Sequence, residues 1–353
     1  MTDSYQPLSQ IWFTRCPVPT ATGLAYQLGW LTEEFAKDNI KVSTLQEGPR
    51  EYNRHHYDHQ LPTLIREGGS LLAIAARAQF SPTRLIGLTW IDEWQAILVR
   101  PGSGINKPED LKGKRLALPA FVDHPIRDHV RGSSIARGMS LHGYKGALGL
   151  AGLTLDDADL VEVAAGRGRG DARRSREVLG GLWAGLDDLI TGNVDAVYVK
   201  GASAVEAAKR VGAVVGIDLD SYAELGSRVN NGTPRPITVH EDLLENHFDL
   251  VVRFMYQTLR AADWAKNNLN SLRTILQDET FAGADGVSTA YRNDFHLHLE
   301  PSLSPERIAL FRKQKNFMWI HGLLDRDFDL DAWVDQRPLL EAQKWLNEKR
   351  QVA

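Results

Sequence analysis

The chain has 353 residues, which is long for one core and sufficient for two domains. Its 43% apolar and 24% charged residues are those of an ordinary globular protein, and a net charge of -4 excludes a general attraction to nucleic acid or acidic membranes. The single cysteine excludes an internal disulfide. The N-terminus lacks the basic and apolar regions of a secretion signal and no segment resembles a membrane span, so we expect a cytoplasmic protein without membrane or nucleic-acid partners.

Strands and helices alternate through the first two thirds of the chain, as judged from the spacing of apolar residues. The pattern predicts strands at 11–15, 40–46, 83–90, 94–100, 159–165, 194–200 and 213–219. It predicts helices at 20–39, 61–78, 133–144, 176–193 and 203–212, the second of them broken at Gly68-Gly69, and a short helix leading into a strand within 107–119. This order is typical of an α/β fold with mostly parallel sheets.

The last third of the chain is predicted to be mainly helical. Thr238 and Glu241 have the spacing of a capping box, and Ser304-Pro305 has the pattern of a helix start. Thr20 is expected to cap the first helix. The Arg-rich stretch at 165–177 is interpreted as a solvated loop, with a contact to an anionic ligand as the alternative.

The stretch "TRCPVPTA" at 14–21 contains the only cysteine, followed closely by Pro17 and Pro19. Cys16 could be inert buried filler. Alternatively, the prolines stiffen a turn that presents the thiol at the mouth of a cleft, where it could act as a nucleophile or an acid.

Two segments of the sequence resemble the type II periplasmic substrate-binding fold, namely "KPEDLKGKRLALP" (107–119) and "GLDDLITGNVDAVYVKGA" (185–202). Within that fold, "RCPVP" together with "REGGS" (66–70) resembles the 2'-hydroxybiphenyl-2-sulfinate desulfinase family, which releases sulfite from an aryl sulfinate without metal or cofactor. The resemblance implies a two-lobed α/β protein with an extra helical C-terminal part and the ligand between the lobes. Residues 1–118 and 221–353 would form lobe one and residues 119–220 lobe two.

The resemblance also implies roles for individual residues. Cys16 falls on the family's catalytic cysteine, Arg66 on the arginine that binds the sulfinate, and Gly69 on a glycine whose N–H faces the same anion. His56 falls on the catalytic histidine, although a slip of the alignment would select His55 or His59. Gly68, Thr14 and Tyr57 are assigned to substrate binding with Arg66 and Gly69.

The same residues have simpler interpretations. Without the cysteine motif, Gly68-Gly69 would be only a helix break and Arg66 a surface residue. His55 and His59, spaced i and i+4 with Asp58 between them, could ligate zinc if helical, but the resemblance needs no metal. An aromatic residue of the family's aryl pocket is replaced near 131–138, where Ser134 stands, which leaves the organic part of the substrate open.

The leading hypothesis is therefore a cofactor-independent C–S hydrolase that releases sulfite from an organic sulfinate, with His56 as the proton shuttle. Cys16 would either attack sulfur as a thiolate or protonate the carbon that loses sulfur. The alternative is a non-enzymatic solute-binding protein for an anionic small molecule, which the absence of a secretion signal disfavours. A third possibility is a relative of the thiamine pyrimidine synthases, but this sequence lacks the Cys-rich segment of those enzymes. The protein is expected to be a monomer.

Overall fold

A computed structural model describes residues 8–16, 18–121, 134–164 and 183–352. The strands are β1 Gln10–Arg15, β2 Lys41–Thr44, β3 Leu64–Glu67, β4 Thr83–Thr89, β5 Gln95–Val99, β6 Arg115–Pro119, β7 Asp159–Val163, β8 Val197–Lys200, β9 Val214–Asp218 and β10 Arg235–His240. The α-helices are α1 Ala21–Gln27, α2 Trp30–Ala36, α3 His55–Asp58, α4 Ser70–Ala78, α5 Ile135–Gly149, α6 Leu186–Thr191, α7 Ala202–Val211, α8 Glu241–Asn246, α9 Phe248–Asn267, α10 Leu269–Thr280, α11 Ala284–Ala290, α12 Pro305–Ile320, α13 Leu330–Trp333 and α14 Arg337–Val352.

Five strands form one sheet in the order β2-β1-β3-β10-β4. The first three are parallel, whereas β10 is antiparallel to both β3 and β4. The expected mostly parallel arrangement is therefore wrong for this sheet, which is mixed. Strand β10 runs in the opposite direction because the chain returns to this sheet from the second group of strands.

The prediction of a helix over 61–78, broken at Gly68-Gly69, is also wrong for the part before the break. Residues Leu64–Glu67 form strand β3, and helix α4 begins only at Ser70. All four residues of β3 are buried because β1 and β10 flank the strand. A short apolar run of this kind has no periodicity that separates a central strand from a buried helix.

The second group of strands contains β8-β5-β9 and the parallel pair β6-β7. A bridge between Leu116 and Ala196 aligns β6 with the chain just before β8. Because β5 and all but the last residue of β6 lie within residues 1–118 yet pair within this group, strand pairing favours a first lobe boundary before Gln95. The lobe division at residues 118 and 221 stays a prediction.

The C-terminal part is helical, and its long helix α9 packs against both α1 and α14. The predicted cap at Ser304 is confirmed, since its hydroxyl accepts a hydrogen bond from the Arg307 N–H. The capping box at Thr238 is wrong, because Thr238 lies within β10 and the side chain of His240 caps α8 instead.

The helix predicted at 20–39 is two helices, separated at Gly29, whose φ of 78° is left-handed. Thr20 caps the first of them by accepting from the Gly23 N–H. The Arg-rich stretch at 165–177 lies outside the described residues, as does the start of the helix predicted at 176–193. Within the described segments, no helix is both long enough and apolar enough to cross a membrane.

Candidate active site around Cys16

Cys16 lies where two neighbouring parallel strands end. Thr14 on β1 is in register with Arg66 on β3, so the segments that follow the two strands leave the sheet side by side. The Gly69 N–H points to the sulfur of Cys16, with 3.4 Å between the nitrogen and Sγ. The cysteine is only partly buried and is not enclosed in the core, which argues against its being inert filler.

Two glycines allow this close approach. A Cβ atom at Gly68 would lie 2.6 Å from the Cζ of Arg66, and one at Gly69 would lie 2.3 Å from Oδ1 of Asn231. Gly69 is also the N-cap of the nine-residue helix α4. The Cys16 sulfur therefore lies at a helix N-terminus, where the unpaired N–H groups and the helix dipole favour an anion.

Arg66 is completely buried beside this helix start and is not a surface residue. Its guanidinium donates to the backbone carbonyl of His56 at 3.3 Å and to that of Gly69 at 3.2 Å. Its Nη1 has no hydrogen-bond partner among the described residues. Burial lowers the pKa of Arg66 to about 10, and the charge of the Cys16 thiolate partly opposes this shift. The guanidinium remains cationic at neutral pH and has an unused donor.

His56, the histidine assigned by the resemblance, forms a hydrogen bond with a residue of β1. Nδ1 of His56 and Oγ1 of Thr14 are hydrogen-bonded at 3.0 Å, and Gln46 donates to the same hydroxyl at 3.2 Å. Thr14 is completely buried. This arrangement fits a threonine that orients His56, and the assignment of Thr14 to direct substrate contact stays a prediction.

The neighbouring histidines have partners within the protein. His55 Nδ1 lies 2.8 Å from Oδ1 of Asp58, and His59 Nε2 donates to the backbone carbonyl of His56 at 3.2 Å. The described residues contain no group of three or more His, Cys, Asp or Glu that could hold a metal ion. The bond between His55 and Asp58 lies within α3, the short helix that also carries His56.

Tyr57 lies close to both Cys16 and Arg66. Burial raises the pKa of its phenol, the charge of Cys16 raises it further, and Arg66 lowers it. Its assignment to substrate binding stays a prediction. Ser134 is buried at the N-cap of α5, while residues 131–133, which precede it in the altered segment, lie outside the described part.

Sequence reasoning missed a lysine from the second group of strands. Lys200, at the end of β8, is buried and forms an ion pair with Glu93 at 3.0 Å. Burial lowers the pKa of Lys200, whereas the charges of Glu93 and Cys16 raise it. Lys200 therefore lies within electrostatic range of Cys16. A single lysine at a strand end carries no sequence signal for this role.

Arg235, at the start of β10, is the second residue that was missed. Its side chain is 3% exposed, and its Nε and Nη1 have no hydrogen-bond partner within the described segments. The charge of Arg235 contributes to lowering the pKa values of Arg66 and Lys200, which indicates that it belongs to the same charged cluster. The turn sequence "NNGTPR" at 230–235 is the only signal that could have drawn attention to it.

The chain is similar along most of its length to curated 2'-hydroxybiphenyl-2-sulfinate desulfinases. It is 25% identical over 345 residues to the proteins from Rhodococcus erythropolis and Rhodococcus qingshengii, covering 91% of this chain and 90% of each relative. No family model matches the chain. The resemblance indicated by the cysteine and glycine motifs is confirmed.

Solved structures confirm the predicted periplasmic-binding-protein-like α/β fold. The crystal structure of a Cys-to-Ser mutant of the desulfurization enzyme DszB, in complex with biphenyl-2-sulfinic acid, matches with a TM-score of 0.74 and 21% identity over 95% of this chain and 99% of that one. The periplasmic aliphatic sulphonate binding protein SsuA from Escherichia coli matches with a TM-score of 0.65 and 16% identity, covering 93% and 92% of the two chains.

Proposed function

We propose that the protein is a hydrolase that cleaves the carbon–sulfur bond of an organic sulfinate and releases sulfite, with Cys16 as the reactive group. The observation that carries this proposal is the contact between the Cys16 sulfur and the Gly69 N–H at the start of α4, beside the buried guanidinium of Arg66. The likeness to the desulfinases supports it independently.

The proposed anion site consists of Arg66 and the first turn of α4. A sulfinate has one negative charge shared by two oxygens, and a guanidinium binds such a group more specifically than an ammonium does. Arg66 has one unused buried donor, Nη1, and its other contacts fix the orientation of the guanidinium. Because a strand end and a helix start position these groups, the anion would be held next to the thiol.

Cys16 can act by either of two chemical routes, both of which release bisulfite and transfer a proton to carbon. As a thiolate, favoured by the nearby positive charges, it attacks sulfur; the electrons of the carbon–sulfur bond pass to carbon, which takes a proton, and water then releases bisulfite from the cysteine. As a thiol, Cys16 gives its proton to that carbon; sulfur dioxide leaves and adds water to become bisulfite. In the first route His56 would supply the proton that carbon takes, and in the second it would reprotonate Cys16; in both, Thr14 would hold the imidazole ring in place.

The second candidate is an anion-binding protein without catalysis. The likeness to sulphonate-binding proteins favours it, since Arg66 and Gly69 could serve binding alone. Such a protein has no need of a thiol at the anion site, and this difference separates the two candidates. For either function we expect a small anionic organic ligand and a monomer, and for the hydrolase we expect a cytoplasmic location.

The decisive experiment measures sulfite release from a panel of aryl and alkyl sulfinates, with the wild type and Cys16→Ser compared. We expect release from at least one sulfinate by the wild type and a loss of at least about 1,000-fold in the variant, because a hydroxyl lacks the nucleophilicity and acidity of a thiol. Calorimetric titration of the variant with the same sulfinate should show that binding persists. Binding without sulfite release by the wild type would favour the binding protein, and undiminished release by the variant would contradict the role of Cys16.

A further inference from the structure

We propose that Arg235 is a second anion-binding residue of the Cys16 site, and that the site therefore binds doubly charged oxyanions more tightly than singly charged ones. The inference rests on the proposed function in one respect only: sulfite, the expected product, would be such an anion. The predicted preference of the site for a tetrahedral or pyramidal dianion can be tested by binding measurements, without any turnover.

The backbone around Arg235 is shaped to hold its side chain inside the protein. Strand β10 begins at Arg235, and the carbonyl of the next residue, Pro236, accepts from the Gly68 N–H at 3.3 Å. The guanidinium lies against Gly232, where a Cβ atom would be 2.4 Å from Nη2. Gly232 has a left-handed φ of 91°, so both the space and the backbone conformation require glycine there.

A short series of contacts joins this guanidinium to the thiol. Asn231, adjacent to Gly232, lies over the α-carbon of Gly69 and accepts a hydrogen bond from the Leu71 N–H at 3.0 Å. Gly69 in turn donates to the sulfur of Cys16. The 230–233 loop therefore places Arg235 on the same helix start that holds Cys16.

The nearby carboxylates are already used by other groups. Glu93 accepts from Lys200 and from the Tyr291 hydroxyl, at 3.0 and 2.9 Å. Glu67 accepts from the Thr22 and Thr89 hydroxyls. Burial raises the pKa of Glu67, while its bonds to the two hydroxyls and the charge of Arg235 oppose that shift.

Arg66 and Arg235 are consequently left without a carboxylate of the described residues hydrogen-bonded to either guanidinium, and the Cys16 thiolate is the main negative charge that acts on Arg66. Neither forms a salt bridge within the described segments, and together they have three buried N–H-bearing nitrogens without a partner: Arg66 Nη1, Arg235 Nε and Arg235 Nη1. Burying a cation or a donor without a partner is costly, so a site of this kind is stabilised when an anion enters it. One negative charge would offset only one of the two guanidinium charges, whereas a dianion would offset both.

The test compares sulfate with methanesulfonate, which share a tetrahedral sulfur and differ in charge. Binding is measured by calorimetry in the Cys16→Ser background, which removes both turnover and thiolate charge. We expect sulfate to bind at least about 10-fold more tightly than methanesulfonate, a ratio that corresponds to about 1.4 kcal/mol. Arg235→Gln should abolish this preference and leave weak binding of both anions through Arg66.

Arg312→Gln is the matched control, because it removes the same charge from a partly exposed side chain on α12 that pairs with Asp331. It should leave the preference unchanged. Arg235→Lys should restore part of the preference, since it returns the charge without the planar donors. Equal binding of the two anions by the parent protein would overturn the proposal.

A purely structural role for Arg235 gives a different result. Arg235→Gln would then lower the melting temperature in the absence of anions but keep the preference for sulfate, and this outcome would also overturn the proposal. Failure of the proposed function is separate: if no sulfinate yields sulfite but the preference for sulfate disappears with Arg235→Gln, the assignment of Arg235 stands. Sulfite release combined with an unchanged preference in Arg235→Gln would support the function and refute the assignment.

Discussion

Gly69→Ala tests whether the close packing at the start of α4 determines the geometry of the site. The backbone of Gly69, with φ of -55° and ψ of 143°, is allowed for alanine, so conformational strain does not enter. The new Cβ would lie 2.3 Å from Oδ1 and 2.6 Å from Nδ2 of Asn231. Neither distance is tolerable, and the Asn231 side chain must therefore move.

The expected cost follows from the contacts that this movement breaks. Asn231 would no longer accept the hydrogen bond from the Leu71 N–H, which leaves a buried donor in the first turn of α4 unsatisfied. Such a loss costs about 1–3 kcal/mol, and the lower entropy of alanine in the unfolded chain offsets about 0.4–1 kcal/mol of it. From the middle of each range, we expect Gly69→Ala to reduce the free energy of unfolding by about 1.3 kcal/mol.

Urea denaturation of Gly69→Ala, Asn231→Ala and the double variant would measure this cost. Once Asn231 is truncated to alanine the clash is gone, so Gly69→Ala should cost little in that background. The coupling free energy between the two sites should therefore be about 1 kcal/mol. Gly149→Ala is the control, because among the described residues nothing beyond its chain neighbours and its own helix backbone lies within 4 Å of its Cβ position on α5, and it should be neutral or stabilising. Additive effects in the double variant, or a Gly69→Ala protein as stable as the wild type, would refute the reasoning.

Three further predictions concern other features of the chain. Burial lowers the pKa of His142 from 6.5 to about 3, so its contribution to stability is complete above pH 6.5 and is lost as the pH falls toward 3. His142→Asn should reduce the slope of the free energy of unfolding against pH, measured by urea denaturation in that range, by up to about 1.4 kcal/mol per pH unit. An unchanged slope would contradict this. Thr20→Ala should cost about 1 kcal/mol in the same assay, because the Gly23 N–H loses its cap, whereas Thr20→Ser should cost much less. Alkylation of Cys16 by iodoacetamide should be slowed by sulfate; equal labelling rates with and without the anion would argue against an anion site at the sulfur.

The local features of this protein could be predicted from its sequence. The caps at Thr20 and Ser304 follow from a side chain that reaches a nitrogen only a few residues away. The motifs around Cys16 and Gly69 also indicated one site, although 53 residues separate these two positions. The sequence linked them only through the resemblance to the desulfinase family, because residues 64–67 were predicted as helix; the structure adds the physical reason, which is that both motifs follow neighbouring parallel strands that end at the same edge of the sheet.

Other features depend on contacts that the sequence does not encode locally. Residues 64–67 form a strand because β1 and β10 lie on either side, although an apolar run of that length suits a helix equally well. The sequence likewise gives no direction for β10, which is set by the route of the chain back from the second group of strands.

The charge balance of the site was decided by the tertiary structure alone. Lys200 and Arg235 come from strands far from Cys16 in the sequence, and the sequence shows them only as ordinary basic residues. Folding gives Lys200 a carboxylate partner in Glu93, while it buries Arg235 with two donor nitrogens unmatched among the described residues. The charge that a site offers to a ligand depends on which of its groups are already neutralised and how far each is removed from water. Both quantities are set by distances between segments that meet only in the folded protein.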